Sequence, residues 1–113
     1  MNFSTDQTGK ITIVQSNVDK LDASNAPELK ALFLQLNKNG INFILLDLSK
    51  TKYCDSSGLS SILAANRLCK DTNGTFILCG LQSNVKKMIE IAQLDRVLSL
   101  VESKEIALAE LNS

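Results

Sequence analysis

Apolar and polar positions along the chain predict a sheet whose strands alternate with helices after an initial hairpin. Two short segments with strand-like alternation flank the Gly9–Lys10 turn, and we expect them to pair at the sheet edge. Two later segments are almost continuously apolar, which is typical of strands covered by helices on both faces. The predicted strands are Phe3–Thr8, Ile11–Val14, Ile41–Leu48, Thr75–Cys79 and Val97–Val101.

Between and after these strands, apolar residues recur three and four positions apart, which predicts four amphipathic helices. Their apolar positions are Leu29, Leu32, Phe33 and Leu36; Leu59, Ile62 and Leu63; Val85, Met88, Ile89 and Ala92; and Ile106, Leu108, Ala109 and Leu111. The expected N-caps of the first, third and fourth helices are Ser24 or Asn25, Ser83, and Ser103. Short connections between alternating strands and helices predict parallel crossovers and the α/β class.

The bulk composition limits the classes of partner. A length of 113 residues predicts one domain, residues 1–113, with a single hydrophobic core. Twelve Lys and Arg balance twelve Asp and Glu, so no net charge attracts nucleic acid or an anionic membrane. Aromatic residues make up only 4% of the chain, which argues against platforms for base stacking. We therefore expect no nucleic-acid partner.

The residue types that are missing argue against an enzyme. The chain contains no histidine, so it lacks the usual general base, the usual activator of a nucleophilic serine and the commonest metal ligand. Cys54, Cys69 and Cys79 do not have C-x-x-C spacing and predict buried or free thiols rather than a metal site. We therefore expect no catalysis, no metal and no cofactor.

Nothing in the sequence predicts export or membrane insertion. The N-terminus has neither the basic start nor the apolar stretch of a signal peptide. No window approaches the roughly 20 apolar residues that a membrane span needs. Together with the unpaired cysteines, this predicts a cytoplasmic protein.

The most informative polar segment is Asp55-Ser56-Ser57-Gly58, which lies between the apolar run Ile41–Leu48 and the helix face that begins at Leu59. A helix is expected to start here, and a helix N-terminus has free N–H groups and the positive end of the dipole. A serine hydroxyl at this point is expected to face outward, where an added phosphate is tolerated. The alternative is a generic cap and turn, because Asp, Ser and Gly all favour helix starts.

The run D-S-S-G-L in this context resembles the STAS domain (sulphate transporter and anti-sigma-factor antagonist), and most of all the single-domain bacterial anti-sigma-factor antagonists. Leu21-Asp22-Ala23 before a helix is similar to the L-D-x segment of the family, and Asp55–Leu59 is similar to its phosphorylation loop. Phe76–Gly80 and Val85–Ile89 are similar to its later strand and helix. The resemblance implies a mixed β-sheet with an N-terminal edge hairpin and about four helices packed mainly on one face.

The resemblance also implies the site. It makes Ser56 the phosphate acceptor, with Ser57 as the alternative acceptor, although Ser57 is also expected to cap a helix N–H. It brings the Asp22 loop to the same end of the sheet. Gly58 is expected to permit close approach of the backbone at the turn. The partner-binding residues are then Asp22, Asp55, Ser56, Ser57, Gly58 and Leu59.

The implied function is that of an anti-sigma-factor antagonist. Unphosphorylated, such a module binds an anti-sigma factor that is also a serine protein kinase, and so releases a sigma factor for transcription. Phosphorylation of Ser56 by that partner ends the association, and a phosphatase restores it. The alternative is a constitutive STAS interaction subunit of another complex, such as a lipid-transport ATPase.

Overall fold

The structure is a computed structural model that describes residues 1–111. Its strands are β1 (Phe3–Thr8), β2 (Ile11–Ser16), β3 (Lys20–Leu21), β4 (Phe43–Asp47), β5 (Tyr53–Cys54), β6 (Thr75–Cys79) and β7 (Ser99–Val101). Its α-helices are α1 (Ala26–Lys38), α2 (Ser56–Asp71), α3 (Ser83–Ile91) and α4 (Lys104–Leu111), and a single 3₁₀ turn spans Leu94–Arg96. No helix within this described range is long and apolar enough to cross a membrane.

The main sheet has five strands in the order β1-β2-β4-β6-β7. The hairpin β1–β2 is antiparallel and lies at the edge, and the pairs β2–β4, β4–β6 and β6–β7 are parallel. The predicted α/β class and the mixed sheet with an N-terminal edge hairpin are therefore confirmed. Because the carboxyl ends of parallel strands lie at one end of a sheet, the loops that lead into the helices gather there.

The two faces of the sheet are covered unequally. On one face, alternate strand residues such as Leu46 and Leu78 pack with the buried sides of α1, α2 and α3 in the larger cluster of apolar side chains. Phe33 of α1 meets Phe76 of β6 edge to face, with ring centroids 5.7 Å apart. On the other face, Ala107 of α4 packs in a smaller cluster with Ile11, Ile13, Leu45, Ile77 and Cys79. The prediction of about four helices mainly on one face is confirmed, with α4 as the exception.

Several predicted details differ in the structure. The last strand begins at Ser99 rather than Val97, because a 3₁₀ turn occupies the residues before it. Ser83 is the first residue of α3 and not its cap; the N-cap position belongs to Gln82, whose side chain makes no capping bond. In α4 the buried residue is Ala107, whereas Ile106, predicted to face the core, is 45% exposed. The cap of α4 is confirmed, since the Ile106 N–H donates to the Ser103 hydroxyl at 3.2 Å.

Candidate functional site

A two-stranded parallel sheet, separate from the main one, brings the two predicted site segments together. In this pair β3 lies beside β5, with Leu21 opposite Cys54. The Asp55 N–H also donates to the Leu21 carbonyl at 3.1 Å. Asp22 and Asp55, which directly follow the paired residues, therefore leave the small sheet side by side. These strands were not predictable from the sequence because two residues are too few to show an alternation.

Gly58 is the point of closest packing between the two segments. A Cβ atom at this position would lie 2.6 Å from the Leu21 carbonyl oxygen and 2.6 Å from the Cys54 sulfur. No side chain fits such a space without displacing the backbone of the neighbouring segment. The expectation that Gly58 permits a close approach is confirmed, although the residue lies in the first turn of α2 rather than in a preceding turn.

Asp55, and not Ser57, caps α2. Asp55 has extended backbone angles, and its Oδ1 accepts a hydrogen bond from the Gly58 N–H at 3.0 Å. The expected capping role of Ser57 is wrong because the helix begins one residue before it, at Ser56. This bond holds the Asp55 carboxylate against the first turn of α2. Ser56 and Ser57 both lie in that turn.

Asp22 closes a local turn before α1. Its Oδ1 accepts hydrogen bonds from the Ser24 hydroxyl at 2.6 Å and from the Ser24 N–H at 3.0 Å. These two bonds hold the pKa of the Asp22 carboxyl below its usual range, and the bond from the Ser24 hydroxyl has the larger effect. The carboxylate is thus ionised and fixed in a turn at the rim of the site.

Of the two predicted N-caps of α1, Ser24 is wrong, and Asn25 is confirmed in position but not in the bonding of its side chain. Asn25 occupies the N-cap position, but its side chain makes no capping bond with the helix. Instead its amide accepts from the Asp22 N–H and donates to the Lys20 carbonyl, at 3.0 and 2.8 Å. The Ser24 hydroxyl is bonded to Asp22, as described above. The side chains of Ser24 and Asn25 therefore form hydrogen bonds within the loop between β3 and α1 instead of capping the helix.

The exposure of the predicted site residues separates them into two groups. Ser56 is exposed, and Ser57, Asp55 and Asp22 are half-buried. Gly58 is buried, and Leu59 is only 7% exposed because its side chain packs in the larger apolar cluster. Gly58 and Leu59 therefore hold the start of α2 in place, and the expected partner contact at these two residues stays a prediction.

An open groove runs between the starts of α1 and α2. It has a volume of about 500 Å³ and is lined by Ala23, Ala26, Pro27, Lys30, Ser56, Ser57, Ser60 and Ser61. We call it the serine groove. Small side chains keep it open, and among its described lining residues only Lys30 carries a charge. Neither Asp22 nor Asp55 lines it.

The residues of α1 that line this groove were not predicted from the sequence. Pro27 and Lys30 are three residues apart on one side of α1, and Ser57, Ser60 and Ser61 have helical spacing on α2. The serine stripe on α2 and the exposed lysine in the first half of α1 were a usable signal. Which helix faces the other, however, depends on the packing of both against the sheet, and that is absent from the local pattern.

The cysteines are buried thiols with raised pKa values. All three cysteines are free and buried, as expected. Burial, with a smaller contribution from the Asp55 charge, raises the pKa of the Cys54 thiol to about 12, and burial raises that of Cys69 to about 11. Between residues 1 and 111, no group of three or more His, Cys, Asp or Glu side chains is placed to hold a metal ion.

Comparisons with known proteins identify relatives of this chain in sequence and in fold. A Bordetella bronchiseptica protein, BtrV, named as a candidate anti-sigma factor antagonist, is 30% identical over 90 residues, which cover 79% of this chain and 77% of that protein. The crystal structure of TM1081 from Thermotoga maritima, also described as a candidate anti-sigma factor antagonist, has a TM-score of 0.91 and 25% identity, covering 98% of this chain and 95% of its own.

The fold also matches a protein solved in a modified state. Bacillus SpoIIAA in its phosphorylated form has a TM-score of 0.75 and 18% identity, covering 96% of this chain and 98% of its own. At this identity the likeness shows the fold alone. The model of the STAS domain family matches residues 2–107 of this sequence. The five-stranded sheet, the paired L-D and D-S-S-G-L segments and this match together show that the chain belongs to the STAS domain family.

Proposed function

We propose that this chain is a non-enzymatic binding module that antagonises an anti-sigma factor and is controlled by phosphorylation of Ser56. Membership of the STAS family and the likeness to BtrV support the general role. The observation that carries the proposal is the position of Ser56. It is an exposed hydroxyl on the first residue of a helix, beside the Asp22 turn, at the mouth of the serine groove.

Ser56 is a better acceptor than Ser57 on geometric grounds. Both serines line the groove, but Ser56 is exposed and Ser57 is half-buried. A kinase must bring the γ-phosphorus of ATP in line with the hydroxyl oxygen, which requires free space around that oxygen. In the transfer the oxygen takes the phosphoryl group, its proton leaves, and ADP departs. The exposed hydroxyl meets this requirement with less movement of the chain.

The proposed control is electrostatic. Phosphorylation adds about −1.5 to −2 charges at pH 7 on a surface that the partner must cover. Burying that charge in an interface without a matching cation costs desolvation and leads to repulsion from any nearby acid of the partner. Release of the partner therefore needs no refolding of this chain.

The start of α2 is suited to carry the charge without unfolding. The N-terminal end of a helix favours an anion, and the Asp55 cap bond to the Gly58 N–H fixes the first turn independently of the Ser56 hydroxyl. The sheet and α2 below are held by buried apolar residues such as Ile62 and Ala65. The module is thus expected to keep its fold in both states.

The test is phosphorylation by a serine-kinase anti-sigma factor from the same organism, with ATP, followed by mapping of the modified peptide. We expect one phosphate on Ser56, normal labelling of Ser57→Ala and none of Ser56→Ala. Labelling that persists in Ser56→Ala overturns the assignment of the acceptor. A partner that binds Ser56→Asp as tightly as the original chain contradicts the control and favours a constitutive interaction subunit.

A further inference from the structure

The charges around Ser56 are distributed unevenly. On the α1 side, Lys30 lines the same groove as Ser56 and is exposed. The acidic side chains nearby have other partners: Asp55 accepts from the Gly58 N–H, Asp22 accepts from Ser24, and Glu28 accepts from the Asn2 amide at 3.0 Å. The groove therefore offers an anion one lysine, while the neighbouring carboxylates are held by bonds of their own.

We propose that Lys30 is the counter-charge of a phosphate carried by Ser56, and that it holds the phosphoryl group at the mouth of the serine groove. This inference rests on the proposed phosphorylation of Ser56. The groove volume of about 500 Å³ leaves room for the phosphoryl group and for water around it. Lys30 is a positioning residue, because it acts on the phosphate after transfer and not on the reacting atoms.

The packing of α1 against the core determines where Lys30 lies. Ala26, Leu29 and Phe33 fix α1 through its buried face. This arrangement leaves Lys30 exposed, on the rim that faces the first turn of α2. The ammonium group ends a flexible four-carbon stem, so it can follow the phosphate without displacing the backbone.

The expected consequence concerns the charge of the phosphate at neutral pH. The second ionisation of a phosphoserine has a pKa near 6. A lysine nearby favours the dianion and lowers this pKa, whereas the carboxylates of Asp22 and Asp55 raise it. With Lys30 present, slightly more of the modified chains carry the full second charge at neutral pH, while the ammonium group offsets part of that charge; the role of Lys30 is therefore to hold the phosphate in place and not to strengthen the repulsion of a partner.

The test uses the full chain with phosphoserine encoded at position 56 during synthesis, so that no kinase is needed. The pH dependence of the ³¹P chemical shift gives the second pKa of the phosphate. We expect Lys30→Ala to raise this pKa by roughly 0.3, the size of an exposed ion pair, and Lys30→Arg to leave it unchanged. The matched control is Lys38→Ala at the opposite end of α1, which should not change it.

Salt provides a second readout that a purely structural role of Lys30 would not give. Raising NaCl to about 0.5 M should remove most of the difference between Lys30→Ala and the original chain, because exposed charges are then screened. Equal pKa values in the two chains at low salt, or an equal change in Lys38→Ala, overturns the inference. Since the phosphate is installed without a kinase, this failure is distinct from a failure of Ser56 to be labelled.

Discussion

Two openings at helix starts differ in the charges of the residues that line them. The serine groove has a volume of about 500 Å³ and contains one charged lining residue, Lys30. A second opening of about 410 Å³ lies where β4 and β6 end and α4 begins. We call it the acidic opening; its lining residues are Gln15, Asp47, Ser49, Gly80, Glu102, Ser103, Lys104 and Glu105.

Each opening has a serine near a helix start and lies near a glycine that packs closely against a neighbouring segment, Gly58 or Gly80, but the charges that line the two openings are opposite. The acidic opening has three carboxyl residues against one lysine, so a phosphate on Ser103 would meet mostly like charge. The serine groove has only a cation in its lining. If Ser56 is the phosphate acceptor, as proposed, the difference between the two openings indicates that a helix start and a hydroxyl do not suffice and that the surrounding charges matter.

The largest effect is expected from the glycines that pack beneath the two openings. In Gly58→Ala the new methyl group would lie 2.6 Å from the Leu21 carbonyl oxygen, so the β3 segment that contains Leu21 must move. We expect a loss of about 3 kcal/mol in the free energy of unfolding, measured by urea denaturation, despite the better helix propensity of alanine. Gly80→Ala, with contacts of 3.0 Å and a φ of +71°, should lose about 1 to 2 kcal/mol.

The control for both is Ser60→Ala, an exposed position on α2, which should stay within about 0.5 kcal/mol of the original chain. A Gly58→Ala chain as stable as this control would show that the β3 and α2 segments are not packed as described. The same result would remove the physical basis for placing Asp22 beside Ser56.

The caps of the two helices give a smaller effect. Asp55→Ala removes the bond to the Gly58 N–H and should cost about 1 kcal/mol. Ser103→Ala removes the bond to the Ile106 N–H at the acidic opening and should cost about 0.5 to 1 kcal/mol. Chemical denaturation measures both. Asp55→Asn is the matched control, since asparagine caps as well as aspartate; a large loss in Asp55→Asn would mean that charge, and not the cap, stabilises the helix start.

Much of the fold was predictable from the sequence because its long elements have clear periods. The hairpin, the buried strands β4 and β6 and the helix faces of α1 and α2 follow from apolar positions alone. The start of β7 and the buried face of α4 did not follow. On the less covered side of the sheet, Ala107 of α4 is buried in the smaller apolar cluster, whereas Ile106 is exposed.

The site was predictable in sequence position but not in detail. The segments of Asp22 and Ser56 do meet, through the β3–β5 pair. The roles of Ser24, Asn25 and Ser57 were not predictable, since each hydroxyl or amide has several possible backbone partners and the tertiary structure selects one. Lys30 was missed because its relation to Ser56 depends on how α1 and α2 lie against the sheet.

The smallest effect concerns pH. The hydrogen bonds of Ser24 lower the folded pKa of Asp22 below the usual 3.8, so its ionised form stabilises the fold above that pH. This contribution is lost as the pH falls through the lower, folded pKa. Asp22→Asn keeps an acceptor for the turn but cannot ionise, so its stability should fall less steeply as the pH is lowered below about 4. Urea denaturation across this range measures it; identical slopes would contradict the Asp22 turn.

The most direct measurement of the central claim is the affinity of one partner for two forms of the chain. A serine-kinase anti-sigma factor that binds the unmodified chain is titrated by calorimetry with that chain and with the chain that carries phosphoserine at position 56. We predict a loss of about 100-fold in affinity on phosphorylation, with unchanged circular dichroism of the chain. Equal affinities for the two forms would contradict the account.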